Sequence, residues 1–424
     1  MFITITSLFS TRAVRGVQVL ALAVVLMAAV GCDNSPYASG ATAQNTLFSA
    51  FSARSPRYLD PTASYSNNET PYTFSVYEPL YSYHYLLRPY TLVPKTAVEV
   101  VQPRYLDKAG QMLPADAPAE AIAESVYEIR IKPGIRYAPH PAFAQDASGA
   151  YAHHALTREQ VGNKRSPWDF AQTGTRELVA EDYVYAFKRQ ATTRIQAPVF
   201  ATFAEHVVGL EEFGARVKAE DKKLLAGRDP ADPDKPFLDF RQWPLAGVQA
   251  VDSHTLRIRL KGKYPQWSFW LAMPFTAPVP WEADAFYAQP GMSRNGLSLN
   301  TWPVGTGPYM MTEYVQDRRH VMQRNPNYRV DPYPCEGMPG DKEAGLLDDC
   351  GKPMPFIDKL VFNNEKEGVS LASKFRQGYL DVPEIERPEY GVTFGIEAED
   401  SEARAREYKD KGFKLPKTVD ISSW

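Results

Sequence analysis

Residues 181–190 have the sequence EDYVYAFKRQ, which is typical of an amphipathic helix. Val184, Phe187 and Ala191 recur at the spacing that puts side chains on one face of a helix. Acidic residues begin the segment and basic residues end it, which is the order of charges that the helix dipole favours. We therefore predict a helix here, with its apolar face toward a core.

Segments with the period of a β-strand lie on both sides of this helix in the chain. Residues 126–131 place Tyr127, Ile129 and Ile131 toward one face and charged residues toward the other. Residues 254–260 alternate in the same way. Strands and helices that are mixed along one chain, with long connections between them, predict an α/β protein.

The composition limits the classes of function. The chain has 424 residues and a formal net charge of −3, so it is long enough for two or more domains. A nearly neutral charge argues against nucleic acid as a partner, because such a partner requires a basic patch. The sequence contains no Gly-x-Ser-x-Gly elbow and no His-Glu-x-x-His helix. We therefore predict that the protein is not an enzyme. We also predict a monomer with no cofactor and no metal site.

The first 32 residues are typical of a signal peptide. Arg12 and Arg15 precede an apolar run over residues 17–30, which is shorter than the roughly 20 residues that a spanning helix needs. Small residues then lead to Cys32, and the pattern resembles the lipobox of bacterial lipoproteins, in which the cysteine carries lipid. Asp33 resembles a signal for staying on the inner membrane. The alternative is an ordinary signal peptide with an incidental cysteine.

Four further segments are predicted to be a tether or insertions, and the one at 211–243 begins with a charged helical piece. Residues 33–43 are rich in Ser, Ala and Gly and predict a flexible tether. Residues 138–172, 211–243 and 331–352 have the composition of insertions between regular elements. Of the three cysteines in the chain, lipidation of Cys32 would leave two.

The two remaining cysteines, Cys335 and Cys350, bracket a loop rich in turn-forming residues. Export to an oxidising compartment favours a disulfide between them. A disulfide closing a loop of this size typically contributes on the order of 3 kcal/mol to stability. Two free, buried thiols are the alternative.

Five sets of residues, in order along the chain, resemble the signature sequences of one protein family. They are LDP at 59–61 with VYEPL at 76–80, GIRY at 134–137, AEDYVYAFKR at 180–189, PVGTGPY at 303–309 with RNPNY at 324–328, and IDKLVF at 357–362 with FRQGYLD at 375–381. The chain thus resembles the family 5 extracellular solute-binding proteins, the oligopeptide-, dipeptide- and nickel-binding components of ABC importers. It departs from the pattern at Val179, where the family has a threonine before Ala-Glu-Asp.

This resemblance implies a fold of two α/β lobes that are joined by a hinge and close over a ligand. We expect residues 44–362 to form lobe I, with an accessory subdomain at about 71–178. Residues 363–424 would begin lobe II, which we expect to be incomplete. The protein would be a large periplasmic binding protein of the peptide-binding type.

The resemblance also implies the function of a binding lipoprotein. We expect it to capture oligopeptides in a cleft between the lobes and to deliver them to a permease and ATPase complex. Its expected location is the periplasm, with a lipid anchor in the inner membrane. Nickel, haem or sugar binding within the same family is one alternative, and a secreted hydrolase is another.

The candidate ligand-binding residues follow from the family's arrangement. In the family, the segment after the LDP sequence lies beside the ligand, which makes Asn67, Asn68 and Glu69 candidates. The alternative for these three is a solvated turn. Phe200 and Phe203, which follow the 180–189 helix, are further candidates, and a role in the core is their alternative.

Overall fold

The computed structural model of the protein describes residue 37, residues 45–51 and residues 54–382. The predicted signal peptide, Cys32 and residues 383–424 lie outside the described residues. Of the predicted tether, only Tyr37 is described. No helix in the described part of the chain combines the length and apolar character needed to cross a membrane.

Strands and helices are mixed along the described chain, which confirms the predicted α/β class. The strands are β1 (Thr46–Phe51), β2 (Tyr81–Tyr83), β3 (Leu92–Pro94), β4 (Arg104–Leu106), β5 (Met112–Leu113), β6 (Glu124–Arg130), β7 (Val248–Asp252), β8 (Thr255–Lys261), β9 (Tyr309–Val315), β10 (Arg319–Arg324), β11 (Asp331–Pro332), β12 (Pro353–Met354) and β13 (Lys359–Asn364). The helices are α1 (Thr70–Val76), α2 (Arg158–Val161), α3 (Ala180–Arg189), α4 (Phe200–His206), α5 (Leu210–Leu224), α6 (Trp267–Trp270), α7 (Trp281–Tyr287) and α8 (Gly368–Arg376).

One sheet contains four strands in the order β1-β13-β10-β9. β1 and β13 are parallel, with Thr46 opposite Lys359 and Phe51 opposite Asn364. The other neighbouring strands are antiparallel. The parallel pair joins the first described strand to the last, so this sheet depends on both ends of the described chain.

A second sheet contains five antiparallel strands in the order β5-β4-β6-β8-β7. Its central strands, β6 and β8, are the two that the sequence predicted, and they differ from the prediction by only one or two residues. Tyr127 and Ile129 of β6 are buried on the same face as Leu256 and Ile258 of β8. The alternation of apolar residues therefore gave the correct buried face.

The five-stranded sheet extends beyond the predicted accessory subdomain. Residues 71–178 contain β4, β5 and β6, whereas β7 and β8 come from residues 248–261. Of the predicted start of lobe II, the structure describes α8 and the residues as far as Val382. The division of the chain into lobes stays a prediction.

Helix α3 packs against β7 and β8, and its predicted apolar face, including Val184 and Phe187, is buried. The backbone N–H of Val179 donates to the Asp182 carboxylate at 3.0 Å, which is half of a capping box. The Val179 side chain has no oxygen that could complete the box. Lys188 and Arg189 are buried, although the sequence had suggested only a role at the end of the helix dipole.

Three contacts order the 331–352 segment, and the last of them joins it to a neighbouring part of the protein. The β11–β12 ladder joins its two ends, and a disulfide connects Cys335 to Cys350, whose Cα atoms are 4.6 Å apart. Asp341 forms an ion pair of 2.8 Å with Arg88, between β2 and β3. The predicted insertion is therefore an ordered loop that packs against a neighbouring hairpin.

Candidate ligand-binding cleft

Two of the signature sequences meet in a buried ion cluster. Arg189, at the end of α3, donates to both carboxylate oxygens of Asp60 at 2.8 and 2.9 Å. It also donates to Asp284 at 2.7 and 2.9 Å and to the Thr62 hydroxyl. Burial by itself would lower the pKa of Arg189, but Asp284 and Asp60 raise it well above the ordinary value. The guanidinium therefore stays charged, with all of its N–H donors used.

Two other signature sequences meet by close backbone contact. The Gly307 N–H donates to the Val76 carbonyl, at the end of α1, at 2.8 Å. A Cβ atom at Gly305 would lie 2.0 Å from the same carbonyl oxygen, so no larger residue fits there. Asn325 donates from its side-chain amide to the Gly307 carbonyl at 2.9 Å. These residues have structural roles, because their polar groups are used within the protein.

A cleft of about 1220 Å³ is lined in part by the residues that follow the LDP sequence. Three segments, residues 54–58, 63–69 and 314–317, supply most of its walls. The lining residues are Arg54, Ser55, Pro56, Arg57, Tyr58, Ala63, Tyr65, Ser66, Asn68, Glu69, Gln196, Pro198, Thr301, Tyr314, Gln316 and Asp317. Tyr65 is 72% exposed, so the cleft is open to solvent along this wall.

Glu69 holds two walls of the cleft together. One carboxylate oxygen accepts the N–H of Tyr58 at 2.9 Å. The other accepts the N–H groups of Tyr65 and Ser66 at 2.9 and 3.1 Å and the hydroxyl of Ser64 at 3.0 Å. Glu69 is only 2% exposed. The predicted ligand residue therefore supports the shape of the site, because its oxygens are already occupied by protein donors.

The other predicted residues lie in three different environments. Asn67 and Asn68 are exposed on the turn before α1, and Asn68 lines the cleft. Phe203 is fully buried, with its ring 5.3 Å from that of Trp267. Phe200 is half-buried against Gly214. Both phenylalanines are absent from the cleft lining because α4 packs between β8 and α5, which turns their rings toward the core.

Sequence reasoning missed several polar residues of the cleft. Gln196 precedes α4, Thr301 follows α7, and Gln316 lies in the turn between β9 and β10. None belongs to a signature sequence or to a periodic segment. Arg54 and Arg57 lie just before the LDP residues, but their position in the sequence gave no indication of a cleft.

A buried histidine supports the back of the cleft. One ring nitrogen of His320 is 2.9 Å from the Ser55 hydroxyl, and the other is 2.9 Å from the Tyr72 hydroxyl. The ring stacks between Phe51 and Tyr314, with centroid distances of 4.7 and 4.6 Å. Burial lowers the pKa of His320 to about 4. It is therefore neutral at pH 7.

The contact between Ser55 and His320 bears on the hydrolase alternative, because a serine beside a histidine is the core of many nucleophilic sites. A histidine with a pKa of about 4 is a weak general base at neutral pH. Tyr72 occupies the place where a carboxylate would orient the base. The backbone of Asp317 donates to the Ser55 hydroxyl at 2.6 Å. We assign this contact to the support of the cleft wall.

Comparisons with known proteins place the chain among binding proteins. The model of the family "Bacterial extracellular solute-binding proteins, family 5 Middle" matches residues 172–406. The periplasmic oligopeptide-binding protein OppA of Escherichia coli (strain K12) is 26% identical over 153 residues, which are 36% of this chain and 23% of OppA. The di/tripeptide-binding protein 2 of Pseudomonas aeruginosa is 26% identical over 165 residues, covering 36% and 28% of the two chains. The match thus spans about a quarter of these curated relatives.

Matches to solved structures extend over more of the chain. OppA of Burkholderia pseudomallei has a TM-score of 0.48 and 15% identity, and the match covers 84% of this chain and 49% of that one. Listeria monocytogenes OppA bound to peptide has a TM-score of 0.46 and 13% identity, with 80% and 46% covered.

The family model covers more than half of the chain. It includes the AED helix, the GTGP turn and the segment that contains β13. This chain therefore belongs to the bacterial extracellular solute-binding proteins, family 5.

Proposed function

We propose that this protein is the solute-binding component of a peptide ABC importer and that it holds peptides in the cleft beside residues 65–68. The observation that carries the proposal is the cleft of about 1220 Å³, whose walls include residues 63–69, directly after the LDP sequence. Typical ligand pockets measure roughly 300–1,000 Å³. A cleft of this size is therefore large enough for several amino-acid residues.

The chemistry of the lining supports a peptide ligand. Asn68, Gln196 and Gln316 carry amide side chains, each of which both donates and accepts hydrogen bonds. A peptide presents one N–H and one C=O per residue, so neutral amides match its main chain whatever its side chains are. The relatives that match this sequence are named for binding oligopeptides and di- or tripeptides.

The metal-binding alternative has less support. Residues 45–51 and 54–382 contain no group of three or more His, Cys, Asp or Glu side chains placed to hold a metal ion. The amide side chains of Asn68, Gln196 and Gln316 in the lining support peptide binding.

Calorimetry tests the proposal. We expect the full-length protein to bind trialanine, and mass spectrometry of the recovered peptide to find it uncleaved. Asn68→Ala and Gln196→Ala should each weaken binding about three- to tenfold, as the loss of one neutral hydrogen bond implies. Gln111→Ala is the matched control, because this amide is exposed in the loop before β5. The absence of any binding heat at millimolar peptide would rule out the proposal.

A further inference from the structure

Two arginines face the cleft without a carboxylate partner. Arg54 and Arg57 are exposed and line the cleft. Neither forms an ion pair with another described residue. This differs from Arg189, whose donors are all used inside the protein. The cleft therefore presents two positive charges whose hydrogen-bond donors are available to a ligand.

The guanidinium of Arg57 makes a cation–π contact with the neighbouring ring. It stacks over the ring of Tyr58, at 5.0 Å from the ring centroid. The N–H of Tyr58 is held in turn by Glu69. A stacked guanidinium keeps its N–H edges free, and its planar fork matches the two oxygens of a carboxylate.

The acidic residues of the lining do not occupy these arginines. They are Glu69 and Asp317. Glu69 is buried and accepts four hydrogen bonds from the protein. Asp317 accepts the N–H of Ser55 at 2.7 Å, and neither acid pairs with Arg54 or Arg57. The positive groups are thus free for a ligand, whereas the Glu69 oxygens are turned toward the protein.

We propose that the cleft binds a carboxylate of its ligand, with Arg57 as the bidentate partner and Arg54 as the second positive charge. The inference rests on the proposed peptide-binding function and makes it more specific. The carboxylate could be the C-terminus of a peptide or an Asp or Glu side chain, because both present the same two oxygens.

Four tripeptides separate the two sources of carboxylate. Calorimetry of the full-length protein would use Ala-Glu-Ala and Ala-Gln-Ala, each as the free acid and as the C-terminal amide. Amidation should weaken binding at least tenfold if Arg57 holds the C-terminus. Replacement of Glu by Gln in the peptide should weaken binding at least tenfold if Arg57 holds the side-chain carboxylate. Affinities that agree within twofold for all four would overturn the carboxylate inference while leaving peptide binding intact. A failure of all four to bind would overturn both proposals.

Variants at the arginines test their roles directly. Arg57→Gln should reduce the tenfold preference for the peptide that carries the recognised carboxylate to less than threefold. Arg57→Lys should keep part of this preference, because lysine keeps the positive charge but lacks the planar fork. Arg54→Gln should give a smaller reduction. Arg216→Gln is the matched control, because Arg216 is exposed on α5 and forms no ion pair with the described residues. An unchanged preference in Arg57→Gln, at an unchanged melting temperature, would contradict the assignment.

Discussion

Arg189 lies at the end of α3 with its guanidinium enclosed by the carboxylates of Asp60 and Asp284. It is only 1% exposed. The charged residues of two signature sequences, Asp60 of LDP and Arg189 of the 180–189 helix, therefore serve one buried ion pair. The cluster is a support for the cleft wall, because Asp60 directly precedes the segment that leads to Tyr65.

Replacement of Arg189 by methionine should destabilise the protein strongly. The change leaves the buried carboxylate of Asp60 and the partly buried carboxylate of Asp284 without their cation. Breaking a buried pair in this way typically costs about 3–5 kcal/mol. Urea denaturation measures the effect. Arg216→Met, at an exposed site, should change stability by less than about 0.5 kcal/mol. A loss in Arg189→Met no larger than in this control would contradict the role of the cluster.

Restoring the family's threonine at position 179 should stabilise the protein. A hydroxyl at this site could accept an N–H of the first turn of α3 and complete the box that Asp182 already half forms. The expected gain in unfolding free energy is about 1 kcal/mol. Val179→Ala separates the effect of the hydroxyl from that of side-chain size, so a threonine variant no more stable than wild type would refute the capping argument.

Acid should destabilise the protein through its buried histidines. Burial lowers the pKa of His320 to about 4 and that of His140 to about 3, whereas an unfolded histidine has a pKa of about 6.5. The unfolded state therefore binds more protons as pH falls from 6.5 toward 4, so stability falls with pH in that window. Each histidine contributes a slope of up to about 1.4 kcal/mol per pH unit.

Urea titrations at pH 5, 5.5 and 6 measure this slope where ordinary carboxylates contribute little. His320→Gln should reduce the slope by nearly one histidine's share, because glutamine does not titrate. Equal slopes for the variant and the wild type would show that His320 is not neutral in the folded protein.

At the scale of elements, the GTGP turn packs its backbone directly against the end of α1. Gly305→Ala should therefore push these two elements apart, since the new Cβ would lie 2.0 Å from the Val76 carbonyl oxygen. Overpacking of this kind typically costs about 1–3 kcal/mol. Gly227→Ala is a useful comparison, because Gly227 has open space around it and only its positive φ resists the change. Thermal unfolding should show the larger loss for Gly305→Ala.

The elements also show how far the sequence could be read. β6, β8 and α3 were predicted within one or two residues because each has a long, regular apolar pattern. The β1–β13 pairing was not predicted, since alternation within a strand does not identify a distant partner. Of the residues that the resemblance made candidates, only Asn68 and Glu69 line the cleft. Gln196 and Thr301 line the cleft from separate loops, which no pattern in the sequence indicates. Phe203 lies in the core, and the sequence could not distinguish the two places because aromatic residues suit cores and clefts equally.

At the scale of the whole molecule, Cys32 carries the proposed membrane attachment. Cys32→Ser should move the protein from the membrane fraction to the soluble periplasmic fraction, because no lipid would be added. A single acyl chain binds a bilayer only marginally, so the several chains of a bacterial lipoprotein are needed. Cys335→Ser with Cys350→Ser is the control and should leave the protein on the membrane. Retention of Cys32→Ser in the pellet would contradict the lipobox prediction.

The parallel pairing of β1 with β13 has a consequence for biogenesis. The two strands are separated by about 310 residues of sequence. Ribosomes add roughly 5–20 residues per second, so β1 emerges about 15–60 s before its partner exists. During that time its edge can pair with other nascent strands. The order of synthesis therefore leaves the first strand without its partner until the chain has been made as far as residue 364.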